Sequence, residues 1–186
     1  IIAKGYHFPM LTLVGAIDAD LGLEGGDLRA SERTYQLLYQ VAGRAGRGQK
    51  PGKVCLQTYN ITHPVLSALS KGDRDSFVKT ELLARKKLSM PPYGRLVALI
   101  ISGEDENAVD TGAASLNATV PNSSDFQILG PAPAPIAMIR GQHRRRFLLI
   151  AEQNVPVQQV ISSWLKNTQW SRNIRVTIDV DPYNFM

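Results

Sequence analysis

The segment QVAGRAGRGQK combines an amide and two guanidinium groups at helical spacing. Gln40, Arg44 and Arg47 are separated by four and then three residues, so on a continuous helix their side chains would lie on one face, about one turn apart. Guanidinium groups bind phosphate oxygens and stabilise the charge on a transferring phosphoryl group, and an amide can orient a water molecule. The spacing therefore indicates a polyphosphate site. The alternative is an exposed basic helix end that the helix dipole favours.

Three glycines, Gly43, Gly46 and Gly48, interrupt the same segment. Each glycine inside a helix costs roughly 1 kcal/mol relative to alanine. Their repeated use predicts that an anion or a neighbouring domain approaches this backbone closely.

A second basic cluster lies in the segment RGQHRRRF. Several phosphates could be neutralised by its arginines, and its histidine and Phe147 could stack on exposed bases. If side chains alternate along a strand here, Phe147 instead faces the core and Arg146 faces water. The alternative to a binding site is a basic turn that is simply solvated. The candidate nucleic-acid-binding residues are Arg140, His143, Arg144, Arg145 and Arg146.

The composition of the 186 residues, with 44% hydrophobic residues and a net charge of +5, is typical of a globular protein with one or two cores. The single cysteine, Cys55, excludes a disulfide framework and a thiolate zinc site built from this chain alone. We expect Cys55 to be a small buried residue on a strand. The sequence contains neither a signal peptide nor an 18-residue apolar span, and we expect it to be an excised piece of a larger, soluble protein.

The first 62 residues have an α/β pattern. LTLVGAIDAD (11–20) and KVCLQTY (53–59) are continuous apolar runs, typical of parallel strands that are buried on both faces. SERTYQLLYQVAGRAG (31–46) has helical periodicity between them, so the three segments predict a strand–helix–strand crossover. Because such a unit cannot bury its own faces, we expect further strands of this lobe to lie elsewhere in the protein.

Residues 63–92 predict a basic helical linker. A short helix, a break at Gly72 and a longer helix that stops before Pro91 are expected, with Phe77 docked and Arg85 in water. The Pro91-Pro92 pair marks the expected domain boundary.

Residues 93–186 predict the element order βαββαβ. The economical fold for this order is a ferredoxin-like split βαβ, with four strands and two helices on one face. The basic cluster then lies at the tip of the central hairpin, with a turn at Gly141. GPAPAP, at 130–135, predicts an extended edge segment.

Several of these segments resemble helicase motifs. QVAGRAGR is similar to motif VI of superfamily 2 helicases, and AKGYHFP followed by LTLVGAIDAD is similar to motif V and its strand. GDLRASERTYQLLYQ lies between them, and LSMPPYGRLVALI, ILGPAPAPIAMIRGQHRRRFLL and DVDPYNF follow. Together these segments resemble the primosomal replication-restart helicase family over essentially the whole chain.

The resemblance implies an α/β fold in three parts. Residues 1–62 would be the C-terminal part of the second RecA-like helicase lobe, residues 63–92 a helical linker, and residues 93–186 a DNA- and partner-binding domain.

The resemblance also implies site residues. Arg44 and Arg47 match the motif VI arginines that reach the ATP γ-phosphate across the cleft between two lobes, and Gln40 matches the amide beside them. Lys4 and Gly5 match motif V, which couples the nucleotide cleft to the DNA backbone. His7 stands where relatives often have an acidic residue, so no ribose or metal role is assigned to it.

The implied function is that of an ATP-dependent 3′ to 5′ DNA helicase that recognises stalled or branched replication forks and initiates primosome assembly. ATP and Mg²⁺ would serve the full-length protein, since this chain contains no phosphate loop, and the zinc module of the family is expected outside it. The implied partners are forked and single-stranded DNA, ATP, single-stranded DNA-binding protein and other primosome proteins, with no membrane. A cytoplasmic, nucleoid-associated location follows, and the isolated chain is expected to be inactive as an ATPase.

Two alternatives stay open. The chain could be a non-catalytic module that binds nucleic acid or protein, or part of another superfamily 2 translocase, against which the C-terminal segments argue.

Overall fold

The structure is a computed structural model, and it describes residue 8, residues 10–23 and residues 27–183. The chain forms two compact units, Ile1–Leu82 and Leu83–Met186. No described helix has both the length and the apolar character needed to cross a membrane. The elements are β1 (Leu13–Ala16), α1 (Ala30–Ala42), β2 (Lys53–Leu56), α2 (Pro64–Lys71), α3 (Arg74–Lys87), β3 (Gly94–Gly103), α4 (Glu106–Ala118), β4 (Phe126–Ile139), β5 (Gln142–Glu152), α5 (Val157–Lys166) and β6 (Arg175–Val180).

The first unit contains the predicted crossover. β1 and β2 pair in parallel, with Leu13 opposite Lys53 and Ala16 opposite Leu56, and α1 connects them. α1 packs its Tyr35 and Leu38 into the core of this unit.

The prediction that both strands are buried on both faces is wrong for the described part of the chain. Leu13 is 58% exposed and Val54 is 37% exposed. Cys55, which we expected to be buried, is an exposed free thiol. The reason is that the described sheet has only two strands, and a pair of strands offers too little surface to cover two apolar faces.

The carboxyl ends of β1 and β2 are joined through Asp20. Its carboxylate accepts hydrogen bonds from the Thr58 hydroxyl and from the Tyr59 backbone N–H, both at 2.7 Å. These donors, the hydroxyl first, lower the pKa of Asp20 below its ordinary value. This contact fixes the loops that follow the two strands to each other.

The predicted helix, break and second helix after residue 62 are observed as α2 and α3. The His63 ring nitrogen Nδ1 accepts from the Val65 N–H at the start of α2, and Gly72 ends α2 in the left-handed conformation, with φ of 66°. Phe77 docks as expected and stacks on Tyr35 with ring centroids 4.6 Å apart. Arg85 differs from expectation, because it is only 7% exposed and donates from Nη1 to the carbonyl oxygen of Pro91.

The second unit has the predicted βαββαβ order. Its four strands form an antiparallel sheet in the order β4-β5-β3-β6, so the GPAPAP segment lies on an edge strand as expected. α4 and α5 contribute to one core on one face of this sheet. The buried members of that core are Val97, Leu99, Ile101, Val109, Ala113, Leu116, Phe147, Leu149, Ala151, Val155, Val157, Ile161 and Trp164.

The central hairpin turns at the predicted glycine. Arg140 and Gly141 both have positive φ angles, 50° and 77°, and Ile139 pairs with Gln142 on either side of them. Two positive φ angles define the two-residue turn whose twist matches that of antiparallel strands.

Candidate functional site

The first candidate site is the turn that follows α1. α1 ends at Ala42, and Gly43 caps it. The prediction that Gln40, Arg44 and Arg47 share one helix face is therefore wrong, since only Gln40 lies on the helix. The physical reason is local: after Gly43 the chain tightens into turns, in which the N–H groups of Arg44 and Ala45 donate to the carbonyl oxygens three residues earlier. At Gly46, which has a φ of +72°, it then turns away from the helical path.

The two arginines of this turn have different surroundings. Arg44 is half-buried, whereas Arg47 is exposed. The Arg47 Nε–H donates to the carbonyl oxygen of Gly43 at 2.7 Å, so this side chain folds back over the end of α1. A cation at this position also interacts favourably with the helix dipole.

The glycines of this turn allow close contact with the chain's own backbone. The Gly46 N–H donates to the carbonyl oxygen of Leu11 at 2.9 Å, and the Lys53 N–H donates to that of Thr12 at 2.7 Å. A Cβ atom on Gly46 would lie 2.5 Å from the backbone nitrogen of Gly52. The backbone that approaches Gly46 here is thus the segment that leads into β2, whereas the approach of an anion or a neighbouring domain stays a prediction.

We expect Gly46→Ala to lower the free energy of unfolding of the first unit by at least about 1 kcal/mol, because an L side chain there is strained and meets Gly52. Gly43→Ala is the matched control: Gly43 has a φ of −66°, and a Cβ atom on it would have the Tyr39 carbonyl oxygen, at 3.4 Å, as its nearest neighbour. Hydrogen exchange of the α1 amides measures the difference. Equal protection in both variants would contradict the close approach.

Gln40 also lies at the edge of a groove in the first unit. The groove has a volume of about 420 Å³ and runs between α1 and the beginning of α3. Tyr35, Tyr39 and Phe77 supply aromatic surface, and Glu32 and Arg74 supply charge. Lys4, Gly5 and His7, the motif V positions, lie outside the described residues.

The second candidate site is the hairpin of β4 and β5, whose basic residues divide between two faces. Phe147 is fully buried in the core beneath α4 and α5, and because side chains alternate along a strand, His143 and Arg145 share its face. Arg144 and Arg146 lie on the opposite face. The predicted cluster therefore does not form a single patch.

Arg145 is bound to α4. Its guanidinium donates to Glu106 Oε1 at 2.9 Å and to the two carboxylate oxygens of Asp110 at 2.6 and 3.0 Å. These hydrogen bonds, that of Glu106 first, raise the pKa of Arg145. His143 Nδ1 lies 3.7 Å from the other oxygen of Glu106. Only 16% of the Arg145 side chain is exposed, so its geometry is that of a structural ion pair.

We expect Arg145→Ala to lower the free energy of unfolding of the second unit by about 1–2 kcal/mol, while DNA affinity changes little. The estimate is modest because Glu106 and Asp110 are half exposed and solvent screens them. Arg144→Ala is the control from the other face of the sheet. It should lower DNA affinity and leave the free energy of unfolding nearly unchanged. Urea unfolding and DNA titration of both variants measure this, and a loss of affinity in Arg145→Ala without a loss of stability would contradict it.

The opposite face of this sheet carries a basic residue that the sequence analysis missed, Arg175 of β6. On the same face, Arg144 donates from Nη1 to the carbonyl oxygen of Ile136 at 3.2 Å, and Arg140 is exposed in the adjacent turn. Ser102 pairs with Arg144 on one side and with Arg175 of β6 on the other. The sequence would indicate Arg175 as a neighbour of Arg144 only if the last strand were placed beside β3. Among the described residues, no group of three or more His, Cys, Asp or Glu side chains could hold a metal ion.

Comparison with known proteins relates the whole chain to one family. A family model described as "Primosomal protein N C-terminal domain" matches residues 86–183. The protein named "Replication restart protein PriA" from Rickettsia typhi is 45% identical over 185 residues, covering 100% of this chain and 28% of the relative. Those from Treponema pallidum and Bacillus subtilis are 40% and 35% identical, again over the whole chain, and the chain covers 28% and 24% of them. The chain thus spans about a quarter of the length of these relatives.

Proposed function

The chain belongs to the PriA family of replication restart proteins, and we propose that it forms the C-terminal region of an ATP-dependent 3′ to 5′ DNA helicase. In this proposal the full-length protein recognises stalled or branched forks and initiates primosome assembly. The observation that carries it is the similarity to proteins of that name over the whole chain, which includes both arginine-containing segments.

In the first unit, we assign residues 1–62 to the second RecA-like lobe. The parallel pair β1 and β2 with its crossover helix is compatible with such a lobe. Arg44 and Arg47 would reach the γ-phosphate of ATP, Gln40 would lie beside them, and Lys4 and Gly5 would couple nucleotide to DNA. The groups that hold the β-phosphate and Mg²⁺ would come from other parts of the protein, as would the zinc module.

In the second unit, the hairpin would contact DNA. Arg140 is exposed in its turn, and Arg144 is half-buried on the sheet face opposite α4 and α5. Their guanidinium groups are suited to phosphate groups, and the family resemblance adds single-stranded DNA-binding protein and other primosome proteins as partners. An acidic peptide from such a partner would complement this basic region. The place of action would be the cytoplasm, at the nucleoid.

The test is unwinding by the full-length protein on forked DNA with either a 3′ or a 5′ single-stranded tail. We expect ATP-dependent unwinding only with the 3′ tail, and no ATP hydrolysis by residues 1–186 alone. Fork binding without any ATP hydrolysis by the full-length protein would instead favour the non-catalytic binding module. DNA-stimulated hydrolysis by the isolated chain would contradict the assignment of the phosphate-binding groups to other parts of the protein.

A further inference from the structure

The sheet of the second unit has a face opposite α4 and α5, here called the open face, and one end of it is basic. Arg144, Ser102 and Arg175 lie side by side on β5, β3 and β6, because Ser102 is the register partner of both arginines. Neighbouring strands are about 4.8 Å apart, so the two arginine Cα atoms lie roughly 10 Å from each other. Arg140, in the adjacent turn, is exposed at the same end.

The charge on the open face changes along β6. Arg175, Thr177 and Asp179 alternate with the core-facing residues and share the open face. Asp179 lies four residues after Arg175, where β6 pairs with Ala98 of β3. Just after β6, Asp181 forms an ion pair with Arg95 at 2.9 Å. Basic side chains are therefore concentrated at the hairpin end, where an anionic partner would be attracted.

The open face carries no aromatic side chain on β3, β4, β5 or β6, all of whose residues are described. Phe147 and Phe126, the two phenylalanines of these strands, contribute to the core under the helices, and the remaining strand residues include no Tyr or Trp. Proteins that bind single strands on a sheet usually stack bases on aromatic rings, each worth about 1–3 kcal/mol. This surface lacks that source of affinity.

We propose that the basic end of the open face, formed by Arg144, Ser102, Arg175 and Arg140, binds the sugar–phosphate backbone of duplex DNA without reading its bases. This inference rests on the proposed function and names the form of DNA that this surface takes. The two guanidinium groups can contact different phosphates. The Ser102 hydroxyl between them donates to the carbonyl oxygen of Arg175 at 3.5 Å, so this small side chain spaces the two arginines and leaves room for the backbone of DNA.

Duplex DNA is favoured because of its charge density. It carries one negative charge per about 1.7 Å of axis, held on a stiff helix, so a short row of arginines meets several phosphates. A single strand is less densely charged and flexible, and it would find no ring to stack on here. A surface of this kind would hold the double-stranded arm of a fork.

The experiment is equilibrium binding of residues 1–186 to a fluorescent duplex and to a single strand with the same total number of phosphates, at several salt concentrations. The variants are Arg175→Ala, Arg144→Ala and the double variant. Lys166→Ala is the charge-matched control, since Lys166 is exposed on α5, on the helix-covered side of the sheet. Circular dichroism checks that every variant keeps its fold.

We expect the duplex to bind more tightly than the single strand. The slope of log K against log salt should fall by about 0.9 for each single arginine variant and by about 1.8 for the double variant, with no change in Lys166→Ala. An Arg175→Ala variant that behaves like Lys166→Ala would overturn the role of β6 but leave a DNA site on the hairpin. Equal or tighter binding of the single strand would overturn the choice of duplex. If the unaltered chain binds neither DNA, both this inference and the DNA-binding part of the proposed function fail.

Discussion

Replacing Arg47 by alanine in the full-length protein is expected to reduce kcat for ATP hydrolysis by about 10³ to 10⁵ and to leave DNA affinity nearly unchanged. The physical reason is that an arginine that reaches the γ-phosphate stabilises charge that develops only in the transition state. Arg47 is exposed, and its Nε is held by the carbonyl oxygen of Gly43 at 2.7 Å. This bond holds the guanidinium group over the C-terminal end of α1.

Two controls separate this role from general loss of charge. Lys50→Ala removes another exposed cation three residues further along and should keep kcat within a few-fold of the original. Arg47→Lys keeps the charge but loses the planar fork, so most of the activity should still be lost. The measurement is DNA-stimulated turnover at saturating ATP, together with fork affinity. Retained turnover in Arg47→Ala would remove this residue from the nucleotide site, whereas a matching loss of DNA affinity would assign it to DNA binding.

The elements that could be predicted from the sequence are those whose patterns are local. The alternation of RRRFLLIA predicts that Phe147 faces the core, and Phe147 is fully buried in the structure. Gly141 and Pro91 mark the ends of segments because their backbone preferences act within a few residues. The order of the last six elements follows from such signals, and it is observed.

What the sequence could not predict depends on neighbours that are distant along the chain. The sequence groups Arg145 with the other hairpin arginines, because nothing in RGQHRRRF indicates that Asp110 of α4 binds it. Arg175 does not stand out in the sequence as part of this cluster, because strand register joins it to Arg144 only through β3. Helical periodicity predicts that α1 continues through the arginine motif, because periodicity contains no information on the hydrogen bond from Gly46 to Leu11.

The largest expected effect on stability is that of Trp164→Ala, which should lower the free energy of unfolding of the second unit by about 3–5 kcal/mol. Trp164 is 2% exposed, and it meets the ring of Phe147 edge-on with centroids 5.5 Å apart. Its indole N–H donates to the carbonyl oxygen of Leu116 at 3.0 Å, so this one side chain of α5 contacts both α4 and β5. Such a loss is a large fraction of the roughly 5–15 kcal/mol that stabilises a typical domain.

The other tryptophan of the chain provides the matched control for this prediction. Trp170 is half-buried, and it donates to the carbonyl oxygen of Leu165 at 3.3 Å, so Trp170→Ala should cost only about 1–2 kcal/mol. Trp164→Phe keeps most of the apolar area and removes one donor from the Leu116 carbonyl oxygen, which still accepts from the N–H and the hydroxyl of Thr119, so it should cost only about 0.5–1.5 kcal/mol. Urea unfolding followed by far-ultraviolet circular dichroism ranks the three variants. Equal losses at the two tryptophans would contradict the prediction, because full burial against Phe147 and the bond to Leu116 are what distinguish Trp164 from Trp170.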